Sequence, residues 1–217
     1  MAATAVELIV FDCDGVLVDS ETIATRVSQR VLSDLGRELS LDEVAEHLAG
    51  ASDEVYAARI AELTGRSLEP GWDDEYSAWY YEAFRSDPRA IPGIREALEE
   101  LSLPRCVASN SSHRWIRDVL GLTDLLGHFG DRIFSADDVE RGKPAPDLFL
   151  WAAQRLGVRA ENCVVVEDSV FGVQAARAAG MRVLAYAGVT PAARLEGEAI
   201  VVFDDMTDLP RLIEEAA

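Results

Sequence analysis

Val6-Glu7-Leu8-Ile9-Val10-Phe11-Asp12-Cys13-Asp14-Gly15-Val16-Leu17-Val18-Asp19-Ser20 decides how the rest of this 217-residue chain is read. The run up to Phe11 is nearly all apolar, as expected of a strand covered on both faces of a sheet. It ends in two carboxylates, Asp12 and Asp14, two residues apart. Like charges this close repel each other, so they are expected to share a cation, either a metal ion or a lysine.

Four more apolar runs carry the same strand signal: Arg105–Ala108, Cys163–Val166, Met181–Tyr186 and Ile200–Phe203. Amphipathic stretches lie between them at Ile94–Leu101, Ser112–Leu120, Pro146–Leu156 and Val170–Ala179. Alternation of this kind predicts an α/β fold with a doubly wound, mostly parallel sheet, a Rossmann-like core. In such sheets the site lies beyond the carboxyl ends of the strands. One region breaks the pattern. From Ser20 to Phe84 the periodicity is helical throughout, with candidate helices at Glu21–Leu35, Leu41–Leu48, Ser52–Leu63 and Asp73–Phe84. The expected organisation is a core of residues 1–16 and 88–217 with an inserted small helical cap domain, residues 17–87.

The composition is that of an ordinary globular protein, with 49% hydrophobic and 27% charged residues. The formal net charge is −19. From Asp19 to Asp87 there are 16 acidic residues against 6 basic ones, a net of −10. A body this acidic repels polyanions, so neither nucleic acid nor an anionic membrane is an expected partner. Met1–Ala5 carries no basic cluster, and Leu8–Phe11 is too short for a signal segment. No run reaches the length of a membrane span. Cys13, Cys106 and Cys163 make an odd number without metal-type spacing and are read as small, reduced core residues. The expectation is a cytoplasmic protein, a monomer or weak homo-oligomer.

Further chemistry gathers at the strand ends. Glu167-Asp168 follows the run Cys163–Val166, a second carboxylate pair at the same predicted edge. Several converging carboxylates suit a hard, oxygen-seeking ion such as magnesium. Of 20 basic residues, 19 are arginine and Lys143 is the single lysine. A compact ammonium can wedge between a carboxylate and a phosphoryl oxygen, where a planar guanidinium fits badly. Lys143 stands in Gly142-Lys143-Pro144-Ala145-Pro146, a proline-stiffened loop before a helix. Ser109, followed by Asn110, Ser111 and Ser112, forms either an anion-binding corner or a set of helix caps.

The order carboxylate pair, hydroxyl, lysine, carboxylate pair resembles the haloacid dehalogenase superfamily of phosphotransferases. The matching residues are Asp12-Cys13-Asp14-Gly15-Val16, Ser109, Lys143 and Glu167-Asp168. Asp14-Gly15-Val16-Leu17-Val18-Asp19-Ser20-Glu21 and Gly142-Lys143-Pro144-Ala145-Pro146-Asp147 look like the β-phosphoglucomutase-like branch, which includes sugar-phosphate phosphatases. The resemblance implies a magnesium-dependent phosphatase of small phosphomonoesters, sugar phosphates or phosphorylated sugar acids such as 6-phosphogluconate. Asp12 would be the nucleophile and form an aspartyl-phosphate. Asp14 would act as acid and then base. Ser109 and Lys143 would hold phosphoryl oxygens, and Asn110 would add a substrate contact. The Mg2+ ion would be held by Asp12, the Asp14 carbonyl, Glu167 and Asp168. The helical insert would be a mobile cap, with Gly50 and Ser52 facing substrate, although these two could equally end one helix and start the next.

Two other readings follow from the same residues. A phosphomutase of the β-phosphoglucomutase type would carry a cap histidine at Ala24 and an arginine at Asp53. Both departures favour hydrolysis. A non-enzymatic phosphoaspartate receiver also combines acidic residues, a hydroxyl and a lysine. It is shorter, however, and has no second aspartate two residues after the acceptor.

Overall fold

The computed structural model describes residues 5–48, 53–188, 190–195, 197 and 201–216. Among these, six strands form one parallel sheet: β1 Leu8–Phe11, β2 Arg105–Ser109, β3 Ile133–Ser135, β4 Cys163–Glu167, β5 Arg182–Tyr186 and β6 Val201–Phe203. Their order is β3-β2-β1-β4-β5-β6. This is the doubly wound α/β architecture expected from the sequence, and the winding reverses direction at β1 and β4. β1 and β4 are wholly buried, which is why they read as unbroken apolar runs rather than alternating ones.

The strand β3 was not expected. Its only apolar residues are Ile133 and Phe134, too few for any periodicity, and it lies at the edge of the sheet. The other strands are found where expected, with small shifts. β1 begins at Leu8 and β5 at Arg182, while Ile200 lies outside the described residues.

The chain leaves β1 into four helices, α1 Ser20–Asp34, α2 Leu41–Leu48, α3 Asp53–Thr64 and α4 Asp74–Ser86. It then returns through α5 Ile94–Glu100 to β2, and α6 His113–Leu122 leads towards β3. α7 Asp147–Leu156 precedes β4, and α8 Val170–Ala178 joins β4 to β5. α9 Ala192–Leu195 precedes β6, and α10 Leu209–Ala216 follows it. Three helix starts, those of α1, α6 and α8, carry side-chain caps. Asp19 accepts from Thr22 N–H at 3.2 Å, Ser112 from Trp115 N–H at 3.3 Å and Ser169 from Gly172 N–H at 3.0 Å.

The chain divides into two compact units, Met1–Val18 with Ala90–Ala217, and Asp19–Arg89. In the sheet unit, α7 and α8 bury Leu148, Phe149, Ala152, Val173 and Ala176 against Val10, Ala108 and Val165. The helical unit has its own core of Leu32, Val44, Leu48 and Ile60. Tyr56, Trp72, Tyr76 and Trp79 adjoin it as a chain of ring contacts with centroids 5.0 to 6.2 Å apart. Arg30 lies over the Trp79 ring at 3.7 Å. No helix among the described residues is long and apolar enough to cross a membrane.

Candidate active site

The register of the sheet brings the chemistry together. Phe11 is level with Val107 of β2 and with Val166 of β4. The next residues, Asp12 and Glu167, therefore leave adjacent strands side by side, and Ser109 closes β2 on the other flank. Asp12 N–H donates to the Val166 carbonyl at 3.0 Å, so the ladder holds the backbone of Asp12 in place. Beyond it the chain turns sharply, with Gly15 N–H donating to Val18 O at 2.9 Å. Gly15 has φ +78°, and a Cβ there would overlap the Asp168 carboxylate. Glycine thus allows both the turn and the close approach of Asp168.

Asp12, Glu167 and Asp168 are all buried, and one oxygen from each lies within 4.8 Å of the others. Lys143 reaches in from its loop. Its Nζ is 2.8 Å from Asp12 Oδ1 and 2.6 Å from Glu167 Oε1, and it lies 4.9 Å from the Phe149 ring centroid. The Asp12 contact is close but off the hydrogen-bonding direction, so Asp12 Oδ1 accepts no well-formed hydrogen bond. Glu167 is fully committed. Its Oε2 accepts from Ser169 N–H at 2.8 Å and Ser169 Oγ at 2.9 Å. Burial pushes the Asp12 carboxyl up, with Lys143 opposing and Glu167 adding to the rise. Burial alone would lower the Lys143 ammonium, but Asp12 and Glu167 outweigh it and hold the group firmly protonated. Three buried carboxylates facing one ammonium leave an excess of negative charge. Hard oxygen donors that close, with one unsatisfied buried oxygen, fit a divalent cation.

Asp14 is half-buried and faces a different set of partners. Ser111 Oγ donates to its Oδ2 at 2.7 Å, and Trp115 Nε1 donates to its Oδ1 at 3.0 Å. Ser111 is itself pinned at both ends of its backbone. Its N–H donates to Ser109 Oγ at 3.1 Å, and its carbonyl accepts from Ser135 Oγ at 2.7 Å. Ser135 N–H in turn donates to Asp138 Oδ2 at 3.0 Å, and His113 Nε2 lies 2.9 Å from the Asp138 carboxylate. His113 is thereby anchored to the turn that follows β3. Ser109 is buried, and accepting from Ser111 leaves its hydroxyl hydrogen to donate.

The side chain of Asn110, a residue expected to touch substrate, holds the Lys143 backbone. Its Oδ1 accepts from Lys143 N–H at 2.8 Å, and its Nδ2 donates to Lys143 O at 3.1 Å. Gly50 and Ser52 lie outside the described residues. Sequence reasoning passed over Ser111, Trp115 and Gly172. Ser111 stands among the serines read as either an anion-binding corner or helix caps, and Trp115 lies within the amphipathic stretch Ser112–Leu120. The signal for Trp115 is that an indole buried beside a strand-end carboxylate must find a partner for its N–H. The signal for Gly172 is a glycine inside the first turn of a helix, which costs about 1 kcal/mol and needs a packing reason.

Elsewhere the helical unit contains a cavity of about 420 Å³ walled by Tyr56, Trp72, Tyr76 and Tyr80. Glu21 and Asp73 are part of its lining, which has no basic side chain among the described residues. The three cysteines are free and buried, and burial pushes their thiols up, which makes them poor nucleophiles.

Comparison with known proteins agrees with this geometry. Residues 6–180 match the haloacid dehalogenase-like hydrolase family. A 6-phosphogluconate phosphatase of Escherichia coli is 32% identical over 214 residues, covering 95% of this chain and 94% of its own. A fructose-1-phosphate phosphatase of the same organism is 34% identical over 184 residues, covering 80% of this chain and 92% of its own. Among solved structures, a haloacid dehalogenase-like protein of unknown function from Agrobacterium tumefaciens superposes with a TM-score of 0.88. It is 38% identical, with 97% of this chain and 99% of that one covered.

The packing around Glu167 generates a stability prediction. A Cβ on Gly172 would overlap the Glu167 carboxylate, which is wholly buried and has no room to retreat. Gly172→Ala is expected to destabilise the fold by about 1–3 kcal/mol, the range for overpacking. Urea unfolding monitored by circular dichroism measures this, and an unchanged midpoint would refute the packing argument.

Proposed function

Because the chain belongs to the haloacid dehalogenase-like hydrolases, and is thereby a phosphoric monoester hydrolase, we propose that it is a magnesium-dependent phosphatase of phosphorylated sugars. The observation that carries this reading is Lys143 Nζ lodged between Asp12 and Glu167, at 2.8 and 2.6 Å, where three strand ends meet. The named substrates of two relatives, 6-phosphogluconate and fructose 1-phosphate, are both small phosphorylated sugars.

In this reading Asp12 attacks phosphorus, and the phosphoryl group passes to its carboxylate. Asp14 protonates the departing sugar oxygen and then takes a proton from the water that hydrolyses the aspartyl-phosphate. The Ser109 hydroxyl and the Lys143 ammonium hold phosphoryl oxygens through the transfer. Asp12, Asp168 and the Asp14 carbonyl would hold Mg2+, with Glu167 behind them. The ion would supply positive charge to the phosphoryl oxygens. Asn110 contributes indirectly, by fixing the backbone that carries Lys143.

The test is phosphate release from a panel of hexose phosphates, 6-phosphogluconate, glycerol phosphate and phosphoglycolate, with magnesium and then with EDTA. Release is expected with magnesium only. Asp12→Asn should fall to the no-enzyme level while keeping its circular dichroism spectrum. Near-normal turnover by that variant would remove Asp12 from the nucleophile role. Lys143→Arg keeps the charge but loses the compact head group, and kcat is expected to drop at least about tenfold.

A further inference from the structure

The cavity of about 420 Å³ is lined by residues that all belong to the helical unit. Its size falls in the range of roughly 300–1,000 Å³ that small-molecule sites occupy. Packing alone does not call for it, since interiors hold few voids larger than a water molecule. Tyr56, Trp72, Tyr76 and Tyr80 bring aromatic rings to its wall. Tyr56 and Trp72 are nearly parallel, at 20°, and Tyr76 is turned 59° from Trp72. The ring planes therefore bound the space from more than one direction. All three tyrosine hydroxyls have partners within the protein. Tyr56 Oη lies 3.1 Å from Ser28 Oγ, Tyr76 donates to Asp34 Oδ2 at 2.8 Å, and Tyr80 donates to the Ser20 carbonyl at 3.4 Å. What these side chains offer a ligand is mainly π surface.

Two carboxylates, Glu21 and Asp73, stand in the same wall. Asp73 holds the position that starts α4, yet its side chain makes no capping hydrogen bond there. Its charge bears on the cavity instead. Burial raises the pKa of the Tyr56 hydroxyl, the Ser28 contact opposes the rise, and the Asp73 charge adds to it. Ring faces and carboxylates both attract positive charge. The surrounding segment from Asp19 to Asp87 is net −10, so the longer-range field has the same sign. The guest is narrowed further by what it would have to satisfy. A neutral apolar molecule gives the carboxylates nothing in return for lost water. A sugar needs hydroxyl partners that the tyrosines have already engaged. A primary ammonium brings three N–H donors, each wanting an acceptor. A methylated ammonium carries its charge on a surface of methyl groups, and ring faces suit that surface.

We propose that this cavity binds an organic cation of the methylated-ammonium class, with Tyr56, Trp72, Tyr76 and Tyr80 against its methyl groups and Asp73 and Glu21 supplying the counter-charge. The site goes beyond the phosphatase reading and does not rest on it. Binding there makes and breaks no covalent bond.

Isothermal titration calorimetry of the whole chain with choline chloride tests the site. The control is choline's neutral carbon analogue, in which a tert-butyl group replaces trimethylammonium, so that shape is kept and charge is lost. Choline is expected to bind saturably, and the neutral analogue at least about tenfold more weakly. Trp72→Leu removes a ring and is expected to raise Kd at least about tenfold. Asp73→Asn keeps the size, removes the charge and is expected to raise Kd about threefold or more. Asp73 is exposed, so the test does not depend on the tryptophan variant folding. Phosphate release from phosphocholine, set against glycerol phosphate, separates two sources of the cation. A preference for phosphocholine places the ammonium on the ester, and binding without that preference places it on a separate molecule; both uphold the site. No saturable binding of choline below about 10 mM, equal affinity for the neutral analogue, or an unchanged Kd in Asp73→Asn would overturn it and leave the phosphatase reading standing. A protein that bound choline but released phosphate from no ester would overturn the phosphatase reading and keep this site.

Discussion

A single buried ammonium sets the terms for the whole site. Lys143 is almost fully enclosed, 9% exposed, yet it stays protonated because Asp12 and Glu167 lie against it. A charge in such a place is tolerable only if it is paired and its pairing geometry is held. Much of the local structure supplies that holding. Asn110 grips the Lys143 backbone through both ends of its amide. Ser169 occupies the second oxygen of Glu167 and also caps α8, so the helix start and the ion pair are fixed by one residue. Gly172 leaves the space in which that carboxylate sits. Removing any one of these leaves a buried charge without its support, which costs far more than losing a surface contact.

The same requirement explains why the site uses a doubly wound sheet. Parallel strands all present their carboxyl ends on one edge, so residues distant in sequence emerge side by side. Asp12 and Glu167 are separated by the entire helical unit, two further strands and their connecting helices. Still, the register of β1 with β4 makes them neighbours. The central strands β1 and β4 can be apolar along their length because helices cover both faces, and the polarity comes at or just after their last residue, in Asp12 and Glu167. Backbone hydrogen bonds thereby position the chemistry, and side-chain packing has only to aim it.

This division also decides what could be read in advance. Strands β1, β2, β4 and β5 announce themselves because covering both faces demands long apolar runs. β3 does not, because an edge strand of Ile133, Phe134 and Ser135 offers no pattern to detect. The charged strand-end residues stand out for the same reason that the strands do, since polarity beginning abruptly after an apolar run is conspicuous. Partnerships are another matter. Nothing in the spacing of Asn110 and Lys143, 33 residues apart, says that the amide will close on the lysine backbone. Trp115 has helical spacing and apolar bulk, so its N–H stays hidden until Asp14 is seen beside it, 101 residues away in sequence. Residue type and strand-end position are local properties of sequence. Hydrogen-bond direction belongs to the fold, and it is what separates a residue that touches substrate from one that aims another residue.

The overall charge of −19 looks unfavourable for a protein whose substrates are anions. Distance settles most of that difficulty. At physiological ionic strength exposed charges are screened beyond about 8 Å, so most of the acidic surface contributes little field at the strand ends. The charges that matter are buried and unscreened: Asp12, Glu167 and Asp168 against Lys143. Their balance is two negative charges in excess, the wrong sign for a phosphate dianion but the right size for one divalent cation. One divalent cation would bring the formal charge of these four groups to zero. The charge of these four groups, rather than that of the whole surface, dominates the field that an anionic ester meets at the strand ends.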